Sequence, residues 1–178
     1  TNTIYECYLA PVLLEMLKKD SRYAVNLVIS HSVSLLQSLQ DGLLDLVFTY
    51  ERLQKAGYRC HRFRTDKLLL VASPANACLQ PAVRKEELPG LNYLFCNFAL
   101  QEVGQFIREL FPPFYQFPFE IDNSTKLVQY LQEGIGCSFL PEGLVQPYLE
   151  DGSLQAIRLI DFEAPRISCY QCFPEGRE

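Results

Sequence analysis

The pattern of apolar and polar positions occurs twice along the chain. Residues 32–43 read SVSLLQSLQDGL and residues 124–135 read STKLVQYLQEGI, with the serine, two leucines, two glutamines and the glycine identical. In both segments the apolar residues lie three and four positions apart, which is the spacing of one helical face. The glycine that follows can adopt a left-handed conformation and end the helix. Two such segments, about half a chain apart, predict two structurally similar lobes.

Each helical segment is followed by a short apolar run. The first run covers residues 43–49 and the second covers residues 137–140. Runs of this kind are typical of strands that are covered on both faces. A serine or asparagine stands before the first apolar position, so Ser32 and Asn123 are expected to cap the two helices. Each lobe is therefore expected to contain a helix, a glycine stop and a strand.

The remaining chain alternates between helical and extended patterns. Further helices are predicted at residues 5–19, with a kink at Pro11, and at residues 85–88, 102–110 and 142–149. Further strands are predicted at residues 25–29, 68–72, 92–96, 117–121, 154–159 and 167–173. This alternation predicts an α/β fold with mostly parallel sheets.

Composition and charge narrow the class of protein. The chain has 178 residues, of which 48% are hydrophobic and 21% charged, as in ordinary globular domains. No run approaches the roughly 18 to 20 apolar residues of a membrane helix, so no membrane partner is expected. The net charge is −5, and the densest basic stretch, residues 59–67, also contains Asp66. That stretch is expected to be a solvated face or a turn into a strand, and this chain alone is not expected to bind DNA.

The chain has seven cysteines, which are Cys7, Cys60, Cys78, Cys96, Cys137, Cys169 and Cys172. Most lie in or beside apolar segments, so they are expected to be buried thiols in a reducing compartment, which favours the cytoplasm. Cys169 and Cys172 have CxxC spacing, but a zinc ribbon would need a second pair and a thioredoxin-like site would need a helix start. No metal and no cofactor are therefore expected.

The histidines do not indicate catalysis. His31 and His61 are the only two in the sequence, and neither lies near an obvious serine or cysteine nucleophile motif. No catalytic residue can be assigned, and the chain is not expected to be an enzyme.

Several segments, taken in order, resemble a known family. They are TNT before LAPVLLEML, VNLVISHSVSLLQSLQDGLLDLVF, LLLVASP, and EIDNSTKLVQYLQEGIGCSFLP. Together they are similar to the effector-binding, or substrate-binding, domain of LysR-type transcription regulators, from Thr1 to Phe173. The resemblance implies an α/β fold of the type II periplasmic-binding-protein kind, with two Rossmann-like lobes joined by two crossover strands. Lobe one would comprise residues 1–73 and 152–178, and lobe two residues 74–151.

The family layout also implies where a ligand binds. Ligands of such folds lie beyond the carboxyl ends of strands, where helix starts offer N–H groups and attract anions. A small polar effector, such as a carboxylate or another anion, is therefore expected between the lobes. The candidate ligand-binding residues are Thr1, Asn2, Thr3, Ser32, Thr49, Tyr50, Asn97, Asn123 and Ser124. Ser32 and Asn123 could equally serve only as caps, and Tyr50 could be a rim residue.

The resemblance implies partners as well. Members of the family act as homodimers or homotetramers and bind DNA through a helix-turn-helix that is absent from this chain. Two alternatives stay open. One is a periplasmic solute-binding protein of the same fold, which would need a signal peptide and would usually avoid seven cysteines. The other is a thiol-based redox sensor of the regulator family that acts through Cys96, Cys137 or another thiol.

Overall fold

A computed structural model describes residues 1–19, 22, 24–76, 79–97 and 101–176. The chain forms two compact units: unit 1 is Thr1–Thr65 with Ser168–Glu178, and unit 2 is Asp66–Ile167. The limits of these units differ from the predicted lobe limits at residues 73 and 152, which follow from the family layout and stay a prediction.

The helices account for most of the predicted helical segments. In chain order they are α1 (Asn2–Ile4), a π-helical stretch (Tyr5–Leu9), α2 (Ala10–Lys19), α3 (Ser32–Gln40), a 3-10 helix (Lys85–Gly90), α4 (Gln101–Glu109), α5 (Ser124–Gln132) and α6 (Glu142–Glu150). The π-helical stretch ends just before Pro11, whose missing N–H interrupts the regular helical hydrogen bonds. Within the described part of the chain, no helix is long and apolar enough to cross a bilayer.

The strands are short except for two. They are β1 (Val47–Thr49), β2 (Tyr58–Ala72), β3 (Ala82–Val83), β4 (Leu94–Cys96), β5 (Phe119–Ile121), β6 (Cys137–Pro141), β7 (Gln155–Ala156), β8 (Arg158–Leu159) and β9 (Arg166–Pro174). The two long strands, β2 and β9, contain the boundaries between the units, so both chain connections between the units are strands.

The core of unit 1 lies beneath α3. Three leucines of this helix are buried against Val47 of β1 and Cys172 of β9. Val47 is paired antiparallel with Cys172, and β9 lies between β1 and β2 in the sheet. Burying each leucine stabilises the unit by roughly 1.5–3 kcal/mol. The apolar face predicted from the spacing of Leu35, Leu36 and Leu39 is therefore the face that covers the sheet.

Unit 2 contains the parallel pairing that the sequence predicts. β4 pairs parallel with β5, and Tyr93 forms a parallel bridge to Cys137 at the start of β6. Leu127 and Leu131 of α5 are fully buried. Because β4 and β5 run in the same direction, the residues that follow them emerge at one edge of this small sheet.

The prediction of mostly parallel sheets is wrong for the largest sheet. In that sheet β1 pairs with β9, and β2 pairs with β6 and β7, all antiparallel. The long strands β2 and β9 enter it as connections between the units. Their direction is therefore not set by the strand–helix–strand crossovers that produce parallel pairing.

The strand predicted at residues 25–29 is also wrong. The structure places no strand there, and Val25, Leu27, Val28 and Ile29 are each about half exposed. They line a largely apolar cavity of about 490 Å³ together with residues of α2 and residues 43–48. Strand-forming side chains need a paired neighbour to become a strand, and this segment has none among the described residues.

The strand β2 begins well before the predicted residue 68. Residues 59–65 of this strand are mostly exposed and polar, so they lack the apolar alternation by which strands are predicted. The basic stretch at residues 59–67 is thus a largely solvated part of a strand.

The two repeated segments have the same geometry. α3 and α5 each have nine residues, and Gly42 and Gly134 share a φ of +73°. In both, the glycine N–H bonds the carbonyl three residues back, and the next N–H bonds the carbonyl five residues back. The repeat that the sequence predicts is confirmed at the level of these elements.

Candidate functional site

The start of α3 differs from the prediction in one residue. His31 is the N-cap, and its side chain makes no capping hydrogen bond, so the prediction that Ser32 caps the helix is wrong. Ser32 is the first helical residue and is only 1% exposed. Its Oγ accepts a hydrogen bond of 3.1 Å from the backbone N–H of Tyr50. Since this bond uses a lone pair, the Ser32 hydroxyl can still donate its proton.

Tyr50 places an unsatisfied hydroxyl group in the interior of unit 1. The residue is 6% exposed, and no group lies in hydrogen-bond geometry with its Oη. Burial raises the pKa of Tyr50 well above its usual value, the thiols of Cys169 and Cys7 add to this, and the adjacent Thr3 side chain offsets only part of it. The phenol is therefore a neutral hydrogen-bond donor at physiological pH.

Thr1 contributes a second unsatisfied hydroxyl. Its nitrogen donates a hydrogen bond of 2.9 Å to the carbonyl of Phe48, which fixes Thr1 beside the end of β1. Its Oγ1 is buried and has no hydrogen-bond partner. The hydroxyls of Thr1, Ser32 and Tyr50 thus surround the carboxyl end of β1. A buried donor left unsatisfied costs about 1–3 kcal/mol, so such groups mark a place where a ligand can supply the missing acceptor.

The other predicted residues of unit 1 take part in the fold. Thr49 is fully buried, and its Oγ1 donates to the carbonyl of Glu51 at 2.7 Å. Thr3 is buried beside Tyr50, and Asn2 is half-buried in α1. Burial also raises the pKa of the Glu51 carboxyl.

The predicted residues of unit 2 lie where β4 and β5 end. The backbone N–H of Asn97 donates to the carbonyl of Ile121 at 2.8 Å. Asn123 is the N-cap of α5, as predicted, and its Oδ1 accepts from the backbone N–H of Lys126 at 3.1 Å. Ser124 is buried at the first position of that helix. The structure therefore brings Asn97, Asn123 and Ser124 to the same edge of the small parallel sheet.

Sequence reasoning missed one cysteine pair. Cys60 and Cys172, 112 residues apart, are joined by a disulfide, so the expectation that every cysteine is a thiol is wrong for these two. Cys169 and Cys172 stand three residues apart on one strand, which turns their side chains to opposite faces and excludes a bond between them. No spacing in the sequence identifies a partner so distant along the chain.

Two other cysteines are inert by their surroundings. Cys96 and Cys137 are buried thiols, as expected. Burial raises the pKa of both to about 12, and Asp122 adds to the shift of Cys96. Thiolates are the reactive form, so these groups react slowly at neutral pH. Among the described residues, no cluster of three or more His, Cys, Asp or Glu side chains could hold a metal ion.

Comparison with known proteins agrees with this architecture. The family model of the LysR substrate binding domain matches residues 1–178, and the chain belongs to this family. Its fold is the type II periplasmic-binding-protein-like α/β fold. A search of the curated proteins finds no match.

Solved structures with the same fold are regulatory domains. That of AphB from Vibrio vulnificus is 17% identical, with a TM-score of 0.75 over 96% of this chain and 86% of that one. That of CrgA from Neisseria meningitidis is 17% identical, with a TM-score of 0.74 over 97% and 85%. That of CcmR from Synechocystis PCC6803, in complex with 2-PG, is 15% identical, with a TM-score of 0.76 over 99% and 86%. The chain spans 59% of the longer CrgA structure.

Proposed function

We propose that this domain senses a small anionic metabolite for a LysR-type regulator and is not an enzyme. The observation that carries the proposal is the pair of buried, unsatisfied hydroxyls of Thr1 and Tyr50 beside the first turn of α3. The groups offered there are hydrogen-bond donors, including the Ser32 hydroxyl and the free N–H groups of the helix start. A donor-rich site selects a ligand rich in acceptors, such as a carboxylate or phosphate.

The second half of the site is proposed at the ends of β4 and β5. Asn97, Asn123 and Ser124 lie at the start of the matching helix α5 and offer amide and hydroxyl groups. In this proposal the ligand lies between the lobes and selects one of their arrangements, which alters how protomers pack and bind DNA. DNA would be contacted through a helix-turn-helix outside this chain, in a cytoplasmic homodimer or homotetramer. The complex of CcmR with 2-PG supports small-molecule binding by this fold.

The test is a thermal-shift screen with small carboxylates and phosphorylated acids, followed by calorimetry on the best ligand. Tyr50→Phe removes only the Oη hydroxyl. We expect it to weaken binding about 10-fold while leaving the unliganded protein as stable as before or more stable, because an unsatisfied buried group is lost. Ser138→Ala is the matched control, since Ser138 Oγ is a buried hydroxyl without a hydrogen-bond partner in the interior of unit 2.

Two outcomes would overturn the proposal. One is a well-folded sample that no acid in the panel stabilises. The other is a ligand that binds Tyr50→Phe and the unmodified domain equally well. A redox sensor acting through Cys96 or Cys137 is disfavoured by the raised pKa of both thiols.

A further inference from the structure

The disulfide joins the two strands that connect the units. Cys60 lies on β2 and Cys172 on β9, and these strands are neighbours in the sheet of unit 1. Both strands continue into unit 2. Cys172 also belongs to the core beneath α3, where it contacts the leucines of that helix. The bond therefore lies at a position where its formation or loss acts on the core and on both connections at once.

The two sulfurs differ in how well a small molecule can reach them. Cys172 is fully buried, whereas Cys60 is only partly buried and packs at the margin of the same core. An oxidant from solvent therefore meets Cys60 first. Cys172 waits in contact with it, in the position of a resolving thiol.

We infer that Cys60 and Cys172 form a reversible oxidation site that responds to hydroperoxides. In the first step the Cys60 thiolate attacks one peroxide oxygen, the O–O bond breaks, water or an alcohol leaves, and Cys60 becomes a sulfenic acid. In the second step the Cys172 sulfur attacks the Cys60 sulfur, water leaves and the S–S bond forms. The two thiols together give up two electrons, which reduce one peroxide, and an external dithiol reverses the change.

Oxidation would tie β2 to β9 in unit 1. The bond closes a loop of more than one hundred residues, and closing a long loop restricts the unfolded chain. The oxidised protein is therefore expected to melt roughly 10 °C higher than the reduced protein. This site goes beyond effector binding, because none of the hydroxyls proposed to hold the ligand takes part in it.

The experiment starts from protein reduced with dithiothreitol, freed of reductant and treated with hydrogen peroxide. Thiols are counted after unfolding, and disulfides are mapped by differential alkylation and mass spectrometry. We expect two of the seven thiols to be lost, a single Cys60–Cys172 linkage, and full recovery on renewed reduction. A linkage between other cysteines, or no loss of thiols at peroxide levels that oxidise glutathione, would overturn the inference.

Variants separate the roles of the two sulfurs. Cys60→Ser should lose no pair of thiols under peroxide and should show no rise in melting temperature. Cys172→Ala should stop at the Cys60 sulfenic acid, which a dione reagent traps. Cys7→Ser is the control, since it removes another partly buried thiol while leaving the pair intact, and it should oxidise as the unmodified protein does. Loss of the linkage in Cys7→Ser, or its survival in Cys60→Ser, would refute the assignment.

Discussion

At the scale of single residues, the closest approach of two backbones in unit 2 lies at Gly136. A Cβ atom built at this position would come within 2.1 Å of the carbonyl oxygen of Asn92. The same carbonyl accepts a hydrogen bond of 3.0 Å from the N–H of Cys137, so it cannot move away without breaking the link between the two chain segments. The position therefore requires glycine because of space and not because of its φ angle.

Gly136→Ala is expected to destabilise the protein by about 2–3 kcal/mol, since overpacking a rigid contact shifts the backbone. The matched control is Gly104→Ala, where nothing lies within 4 Å of the added Cβ and the residue is inside α4. That change should leave stability unchanged or raise it by up to about 1 kcal/mol through helix propensity. Urea unfolding measures both, and equal effects of the two substitutions would contradict the account.

The buried thiols predict how stability depends on pH. The pKa of Cys137 is about 12 in the folded protein against an ordinary 9.0, so the folded state retains the proton longer than the unfolded state. Its contribution is complete below pH 9 and is lost as the pH rises toward 12. Within that window each such thiol lowers the free energy of unfolding by about 1.4 kcal/mol per pH unit.

The slope can be measured by urea unfolding of the reduced protein at several alkaline pH values. Cys137→Ala should have a shallower slope than the unmodified domain by that amount, because the variant has lost one titrating group. Ser138→Ala removes a neighbouring group that does not titrate and should keep the original slope. An unchanged slope in Cys137→Ala would show that this thiol ionises alike in both states.

At the scale of elements, the two repeated helices end alike but begin differently. Asn123 makes a capping hydrogen bond to the third helical N–H of α5, whereas the side chain of His31 makes none at α3. In α3 the side chain at the first helical position, Ser32, is used instead to hold the backbone of Tyr50.

Substitutions at the two cap positions should reveal this difference. Asn123→Ala is expected to cost about 1 kcal/mol, since one helix N–H loses its acceptor. His31→Ala is expected to change stability by less than about 0.5 kcal/mol, because no capping bond is lost. Chemical unfolding of both variants is sufficient, and a His31→Ala effect as large as that of Asn123→Ala would contradict the assigned caps.

Elements were predictable where their determinants are local. The apolar spacing and the glycine stop fix α3 and α5, and both are confirmed. The strand expected at residues 25–29 fails because a strand depends on a partner that the local pattern does not contain. The early part of β2 was missed for the converse reason, since pairing with β9 makes a strand of polar, exposed residues.

The candidate site divides along the same line. Asn123 could be identified as a cap because its acceptor and donor lie three residues apart. The unsatisfied hydroxyl of Tyr50 and the bond between Cys60 and Cys172 both depend on contacts between distant segments. A single sequence records such contacts only indirectly, so neither could be predicted from residue spacing.

At the scale of the whole molecule, the two units differ in continuity along the chain. Unit 2 is one uninterrupted segment, Asp66–Ile167, whereas unit 1 needs both the first 65 residues and the last strand. Val47 of β1 is covered by Cys172 of β9, so the N-terminal part of unit 1 lacks a sheet neighbour when β9 is absent.

Residues 66–167 expressed alone are therefore expected to fold and to unfold cooperatively, because a contiguous unit has its own core. Residues 1–65 expressed alone are expected to stay unfolded. Circular dichroism and urea titration of the two fragments provide the measurement. A cooperative transition in the shorter fragment, or its absence in the longer one, would show that the units are not independent.

This discontinuity imposes an order during translation. A ribosome completes every residue of unit 2 before it reaches most of β9, since the residues that unit 1 still needs begin at Ser168. The nascent N-terminal segment must therefore wait, with the leucines of α3 uncovered, while the inserted unit forms. Cys172 is among the last residues to leave the exit tunnel, so the partner of Cys60 arrives only when synthesis is almost finished.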